Sequence, residues 1–157
     1  MDQQAIFKAF REKGQVSIKE GNGKILTLLK MESWRPEMGK DWVYLLFDLF
    51  QIRTVCEPFS EVSLDIVEFG TKPTIYRSPA SGVLKHGPIQ DGVIRFSLIR
   101  EPNWNKLLFQ ISQPILMKIE SDKSSAEFQT DVYFPLLSPT TKEMFLGPDG
   151  DVKIINR

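Results

Sequence analysis

The sequence is poor in the residue types that most often carry out chemistry in proteins, with one cysteine and one histidine among its 157 residues. Cys56 has no second cysteine with which to form an internal disulfide, so the fold does not need an oxidising compartment. A single histidine, His86, excludes mechanisms that use two histidines and most zinc-hydrolase patterns. We therefore expect no metal, no cofactor and no catalytic residues.

An excess of either charge is also absent, because 20 basic residues balance 20 acidic ones. A neutral chain has no general attraction for a polyanion, which disfavours nucleic-acid binding through phosphate neutralisation. The longest apolar run, from Trp42 to Phe47, is far shorter than the roughly 20 residues that span a bilayer as a helix. The first residues show no signal-peptide pattern. We expect a cytoplasmic protein without a membrane span.

What the sequence does contain is alternation of apolar and polar residues, which is typical of strands with one buried face. In the second half this alternation predicts four strands: Val93 to Arg100, Leu107 to Ser112, Ile115 to Glu120 and Ala126 to Phe134. Turns are predicted between them, at Pro102 to Asn105 and Ser121 to Ser125. Length and an apolar fraction of 41% indicate one β-rich domain, 1–157, with two half-barrels, 1–80 and 81–157, as the alternative.

The first half predicts one helix and several further strands. The helix runs from about Gln3 to Lys13, between a capping Asp2 and a terminating Gly14. Further predicted elements are a hairpin of Gln15 to Lys19 with Lys24 to Met31 around Asn22-Gly23, strands at Val62 to Ile66, Thr74 to Arg77 and Val152 to Ile155, and a helical turn at Thr140 to Phe145. This inventory predicts a mainly β fold, an antiparallel β-barrel or a two-sheet sandwich with an N-terminal helix.

Aromatic residues in and after the predicted exposed loop from Ser33 to Asp41 are the candidates for contact with a protein partner. Trp34, Trp42 and Tyr44 are assigned this role, and the apolar run from Trp42 to Phe50 is either a central strand, an interface for self-association or a helix. Trp34 and Trp42 also stand near basic residues, as in single-stranded nucleic-acid grooves, but packed indoles are the favoured interpretation.

Basic residues give the candidate ligand site, and the histidine gives the only catalytic alternative. Arg77, Lys85, Arg95 and Arg100 are predicted to form a basic edge that binds a cyclic dinucleotide or another small anionic ligand. An enzyme would use His86 as general base with Asp65 or Glu68. Cys56 lacks the features of an activated thiolate and is predicted to be a small core or edge residue. The leading hypothesis is a non-catalytic binding or regulatory module that acts through protein contacts, with a protein partner or a homo-oligomer.

Residues 5 to 80 carry a resemblance in the order of their features: a short helix, then Gly14 to Ile18, Lys24 to Lys30, Phe59 to Ile66 and Thr74 to Pro79. This order resembles the N-terminal β-barrel domain of PilZ-containing flagellar-brake regulators, in which a PilZ domain binds cyclic di-GMP. The PilZ ligand motif has two arginines four apart followed by [DN]xSxxG. Arg95 and Arg100 are instead five apart, and the stretch from Asp122 to Glu127 ends in glutamate where the motif has glycine. The resemblance thus implies PilZ-like signalling through protein contacts, with cyclic di-GMP binding as the alternative.

Overall fold

Residues 1–156 are described by a computed structural model, in which α-helices and β-strands are mixed along the chain. The α-helices within this range are α1 Gln3–Lys13, α2 Ile52–Val55, α3 Glu61–Glu68 and α4 Pro102–Ile111, and short 3-10 helices lie at Met31–Ser33, Pro36–Met38 and Leu49–Gln51. The strands are β1 Gln15–Lys19, β2 Ile25–Lys30, β3 Val43–Leu46, β4 Thr74–Pro79, β5 Val93–Leu98, β6 Ile115–Glu120, β7 Phe128–Gln129, β8 Lys142–Leu146 and β9 Val152–Asn156.

All of these strands belong to a single nine-stranded sheet, in the order β7-β1-β2-β6-β3-β5-β4-β8-β9. Three neighbouring pairs are parallel, β1 with β7, β3 with β5 and β4 with β8, and the other pairs are antiparallel. The sheet ends at β7 on one side and at β9 on the other, so it is open. The predicted antiparallel β-barrel or sandwich is therefore wrong, and the fold is mixed α/β.

Both faces of this sheet are covered, which explains why its central strands are apolar on both sides. Helices α1 and α4 cover one face, and the buried cluster there includes Ile6, Phe10, Val16, Leu28, Val43, Ile75, Trp104 and Leu107. Helices α2 and α3 cover the other face, and the buried cluster there includes Tyr44, Ile52, Val67, Tyr76, Phe96 and Leu116. No helix among residues 1–156 is both long and apolar enough to cross a membrane.

The segment predicted as a strand from Leu107 to Ser112 is helix α4, and its start was predicted as a turn. Glu101 caps this helix, because its carboxylate accepts a hydrogen bond of 2.9 Å from the backbone N–H of Trp104. Pro102 follows in the first turn, where a missing N–H does no harm. Residues 104, 107, 108 and 111 recur at helical spacing and lie toward the first core cluster, which outweighs the alternation at Leu107, Phe109 and Ile111.

Three further predictions of local structure are wrong. Val62 to Ile66 lies in helix α3, whose buried residues Ser63 and Val67 are four apart. Thr140 to Phe145 is largely strand β8 rather than a helical turn. Of Ala126 to Phe134 only the two residues of β7 form a strand.

The other local predictions agree with the structure where turn and cap chemistry is strong. Helix α1 has the predicted bounds, with the Asp2 side chain accepting from the Ala5 N–H and with Gly14 in the left-handed region at φ 75°. The β1–β2 hairpin and strands β4 and β9 are also present. Of Trp42 to Phe50, only β3 is a strand, and it is central and fully buried between β6 and β5.

Candidate functional site

A cleft of about 920 Å³ opens beside the outer strands β4, β5, β8 and β9. Its lining includes the cations Lys40, Arg77, Arg95 and Lys153 and the anions Asp41 and Asp91, together with apolar side chains such as Val93, Phe145 and Ile154. A second hollow of about 450 Å³ shares Asp41, Arg77 and Arg95 with it and adds Lys118 and Glu143. We name the two hollows together the arginine cleft.

Two arginines stand at the centre of the arginine cleft because their strands are paired. Arg77 of β4 and Arg95 of β5 are direct partners in the antiparallel register. Both contact the carboxylate of Glu143 on β8, which pairs with β4 on its other side. Arg95 donates from Nε (3.2 Å) and Nη2 (2.8 Å) to one carboxylate oxygen, and Arg77 Nη2 forms an ion pair with the other oxygen. The pairing of β5, β4 and β8 thus brings the two guanidinium groups and the carboxylate together.

Burial distinguishes the two carboxylates that contact these arginines. The side chain of Glu143 is 6% exposed, whereas that of Asp41, 3.2 Å from Arg95 Nη1, is 81% exposed. A buried carboxylate needs paired cations, so Glu143 fixes the two guanidinium groups in place. The exposed Asp41 contact is a weak, water-screened one that an incoming anion can displace.

The cleft retains positive charge after these internal pairs are counted. Arg77 and Arg95 balance Glu143 and Asp41, and three lysines at the margin, Lys40, Lys118 and Lys153, stand against Asp91. In addition, the Nε atom of Arg77 is buried and has no hydrogen-bond partner among residues 1–156. Guanidinium groups present donors in a planar fork that matches phosphate and carboxylate oxygens. The arrangement is therefore chemically suited to hold a small anion.

The other two members of the predicted basic edge lie elsewhere. The guanidinium group of Arg100 donates to the backbone carbonyl oxygens of Val67, Glu68 and Gly70, at the end of helix α3. It therefore caps a helix, because cations are favoured at that end. Lys85 is exposed in the loop between β4 and β5 and does not line the arginine cleft. The structure thus brings Arg77 and Arg95 together and separates both from Arg100.

The residues predicted to bind a protein partner are buried. Trp34, Trp42 and Tyr44 are 4%, 5% and 0% exposed and belong to the second core cluster. Trp34 Nε1 donates to the carbonyl of Gly39 at 2.8 Å, so its polar edge is satisfied inside the loop. Their packing confirms the interpretation as packed indoles and leaves these rings unable to form a contact surface.

The histidine and the cysteine have surroundings that do not suggest catalysis. His86 Nε2 lies 2.5 Å from the carbonyl oxygen of Trp34, and its ring packs edge-on against that indole. Among the described residues it forms no hydrogen bond or ion pair with Asp65 or Glu68. Cys56 is buried, and this burial raises the pKa of its thiol, which favours the unreactive protonated form.

Glu143 is the residue of the site that sequence reasoning missed. It was missed because Thr140 to Phe145 was predicted as a helical turn, in which the glutamate would be exposed to solvent. Read as a strand, Lys142 to Leu146 would have placed Glu143 on the same face as Phe145. An acidic residue beside apolar residues in a strand would then have pointed to a buried ion pair.

Comparisons with known proteins give no family but a consistent fold. No protein-family model matches the chain, and no curated protein matches it. Full-length HypF, solved in its phosphate- and nucleotide-bound form, aligns with 98% of this chain at a TM-score of 0.70 and 16% identity. The match covers 28% of HypF, so this chain spans little more than a quarter of that protein.

Two smaller proteins align over most of their own length. YciO of E. coli matches at a TM-score of 0.72 and 15% identity, over 99% of this chain and 90% of YciO. The solution structure of MTH1692 from Methanobacterium thermoautotrophicum matches at 0.64 and 9% identity, over 99% and 85%. The open mixed sheet shows that the predicted β-barrel is wrong, and none of these three neighbours is named as a PilZ-like protein. At such identities the comparisons establish the fold alone, which is a mixed α/β fold with one open sheet.

Proposed function

We propose that this chain is a non-catalytic binding protein for a small phosphate-bearing ligand, which it holds in the arginine cleft. The observation that carries the proposal is the pairing of Arg77 and Arg95 on neighbouring strands, fixed by a buried Glu143 and open to the cleft. Preorganised guanidinium groups bind phosphate with little loss of side-chain entropy. The expected ligand is a nucleotide or a similar metabolite.

Size, charge and one structural neighbour support this proposal. A cleft of about 920 Å³ is in the size range of small-molecule sites. Apolar side chains such as Val93 and Phe145 offer a surface for a base or another planar group beside the cations. HypF shares the fold and was solved with phosphate and nucleotide bound. A receptor for a cyclic dinucleotide, the alternative predicted from sequence, would be one kind of phosphate-binding protein. Lys85 and Arg100 do not line the arginine cleft and would take no part in its site.

Regulation through protein contacts remains a prediction, as does a cytoplasmic location. The aromatic residues on which the predicted protein contact depended are buried in the core. A signalling role is still compatible with a ligand-binding module, because a regulator needs a ligand-sensitive site. PilZ-like signalling itself has no support from the fold.

Isothermal titration calorimetry with inorganic phosphate, pyrophosphate, ATP and cyclic dinucleotides tests the proposal directly. We expect saturable binding of at least one of these ligands. Arg77→Gln is compared with its parent in the Glu143→Gln background, so that no buried carboxylate loses its partner. Removing the guanidinium should weaken binding at least tenfold, about the effect of one charge-assisted contact.

Lys85→Gln is the matched control, because it removes an exposed cation that the sequence placed in the site and the structure does not. Its affinity should equal that of the unmodified chain. The proposal fails if none of the ligands binds at millimolar concentration, or if Arg77→Gln and Lys85→Gln have the same effect.

A further inference from the structure

The two hollows of the arginine cleft lie on opposite sides of the arginine pair. Arg77 and Arg95 are direct partners in an antiparallel register, and both residues line both hollows. Ile75, two residues before Arg77 on the same face of β4, lines the smaller hollow and not the larger. Val93, two residues before Arg95 on β5, lines the larger hollow and not the smaller. Because the strands run in opposite directions, a group held by the two arginines has open space on both sides.

The larger hollow suits a planar heterocycle. Phe145 on β8 is the direct partner of Arg77 on β4, so its side chain lines this hollow beside the guanidinium group. Val93 and Ile154 extend the apolar wall, and the exposed Gln90 offers an amide that both donates and accepts hydrogen bonds. Bases stack on aromatic side chains and present donors and acceptors along their edges. A nucleoside therefore matches the lining of the larger hollow.

The smaller hollow has a different chemistry, with an apolar floor and a polar rim. Buried side chains of β3, β4 and β6 form the floor, namely Val43, Ile75 and Met117. Hydroxyl groups stand at the rim, on Ser121, Ser138 and Thr141. Within residues 1–156 this lining contains no aromatic ring on which a second base could stack. A sugar ring matches it, because the C–H groups of a sugar pack on apolar side chains while its hydroxyls form hydrogen bonds with other hydroxyl groups.

Charge disfavours a further anionic group in the smaller hollow. Glu143 lines this hollow and not the larger one. Besides the two arginines, Lys118 is the single cation of its lining in the part of the chain that the structure describes, and Lys118 Nζ lies 5.9 Å from the centre of the Trp42 ring. A phosphate chain extended in this direction would approach a carboxylate, and like charges at close range repel each other. A neutral polar group avoids this repulsion.

The wall of the smaller hollow opposite the arginines is a preformed turn, built from residues 137–141. Leu137 is fully buried, and its carbonyl oxygen accepts a hydrogen bond from Lys24 Nζ. Within the turn, the Ser138 N–H donates to Thr141 Oγ1 at 2.7 Å, and the Thr141 N–H donates to the Ser138 carbonyl at 3.1 Å. Since these contacts fix the wall, a ligand that touches it loses little entropy by ordering the loop.

We propose that the ligand of the arginine cleft is a sugar ester of a nucleoside diphosphate. The nucleoside lies in the larger hollow, the diphosphate lies on Arg77 and Arg95, and the sugar lies in the smaller hollow. This inference rests on the proposed function, because it needs the arginine pair as the anion site. It adds that the phosphates lie in the middle of the ligand, with an organic group at each end. The hollows, at about 920 and 450 Å³, are each in the size range of small-molecule sites.

Calorimetric titration of matched pairs tests this arrangement, with ADP against ADP-glucose, UDP against UDP-glucose and GDP against GDP-mannose. At pH 8 the free diphosphate has more negative charge than its sugar ester, so the arginines alone favour the free diphosphate. We expect the sugar ester of at least one pair to bind about tenfold more tightly, because it alone fills the smaller hollow. If the diphosphates bind and all three esters bind equally or more weakly, the inference is wrong and the proposed function stands. Failure of all six compounds to bind at millimolar concentration overturns both.

Ser121→Trp tests the position of the sugar. Ser121 is exposed at the rim, so a large side chain there obstructs the smaller hollow without entering the core. Ser124→Trp is the matched control, because Ser124 is exposed in the same loop and lines neither hollow. We expect Ser121→Trp to lose the preference for the sugar ester while keeping its affinity for the free diphosphate, and Ser124→Trp to keep both. The same preference in the two variants would contradict the placement of the sugar.

Discussion

Replacing Glu143 by glutamine should destabilise the fold and yet tighten anion binding. The carboxylate is 6% exposed and contacts both Arg77 and Arg95. Each buried hydrogen bond to a charged group contributes about 1.5–3 kcal/mol. The amide oxygen of glutamine keeps part of this, and water can solvate the guanidinium groups, whose side chains are 43% and 25% exposed. We therefore expect the free energy of unfolding to fall by about 1–2 kcal/mol.

The gain in affinity follows from removing a negative charge beside the ligand. At about 5 Å and an effective dielectric constant of about 20, a carboxylate opposes a bound anion by about 3 kcal/mol. Water and salt in the open cleft screen roughly half of this, so phosphate should bind about tenfold more tightly to Glu143→Gln. Urea denaturation measures the stability, and calorimetry measures the dissociation constant.

Asp41→Asn is the matched control, because it removes a carboxylate from Arg95 at the exposed margin of the same cleft. Its unfolding free energy should change by less than about 0.5 kcal/mol, since exposed ion pairs contribute little. Its phosphate affinity should rise, but by less than that of Glu143→Gln. Because Glu143 also positions the guanidinium groups and the exposed Asp41 does not, an unchanged or weaker phosphate affinity of both variants would refute the assignment of Arg77 and Arg95 as anion ligands.

Three other substitutions probe the fold. The Tyr44 hydroxyl is buried without a hydrogen-bond partner in the described range, so Tyr44→Phe should raise the unfolding free energy by about 1 kcal/mol in urea. Burial raises the pKa of Glu20 above 4.5 despite the opposing charge of Lys24. The stability that the protonated carboxyl contributes is therefore lost as pH rises above 4.5. Glu20→Gln should therefore gain stability relative to the parent from acid to neutral pH, and a parallel pH profile would contradict this. Arg100→Ala should lose about 1–2 kcal/mol and speed hydrogen exchange at the end of α3, whereas unchanged exchange would contradict its capping role.

Sequence reasoning succeeded where local chemistry decides the structure. The caps of α1 and the Asn-Gly turn of the first hairpin act within a few residues, and both are present. It failed where a short segment satisfied two periods at once. In α4, Leu107, Phe109 and Ile111 alternate like a strand, but Trp104 and Leu108 complete a helical face. Glu101 and Pro102 mark the helix start and were the signal that should have decided.

The candidate site was only half predictable for a different reason. Arg77 and Arg95 were predicted as ligand residues. Their direct pairing depends on the register between β4 and β5, which the sequence did not show. The contribution of Glu143 depends on a parallel pairing of β8 with β4, which no local pattern encodes. Arg100 comes only five positions after Arg95, but it lies beyond the end of β5. Its side chain contacts the end of helix α3 instead of the cleft.

The interleaved order of the sheet has a consequence for how the chain acquires its structure during synthesis. The central strand β3 has β6 and β5 as its neighbours, both of which follow it by about 50 residues or more. Strand β1 gains its second neighbour only when β7 has been made. A nascent chain of the first 80 residues thus holds a β1–β2 hairpin and unpaired apolar strands. Such non-local pairing slows folding, and the unpaired strands keep apolar surface exposed until β5 and β6 have been made.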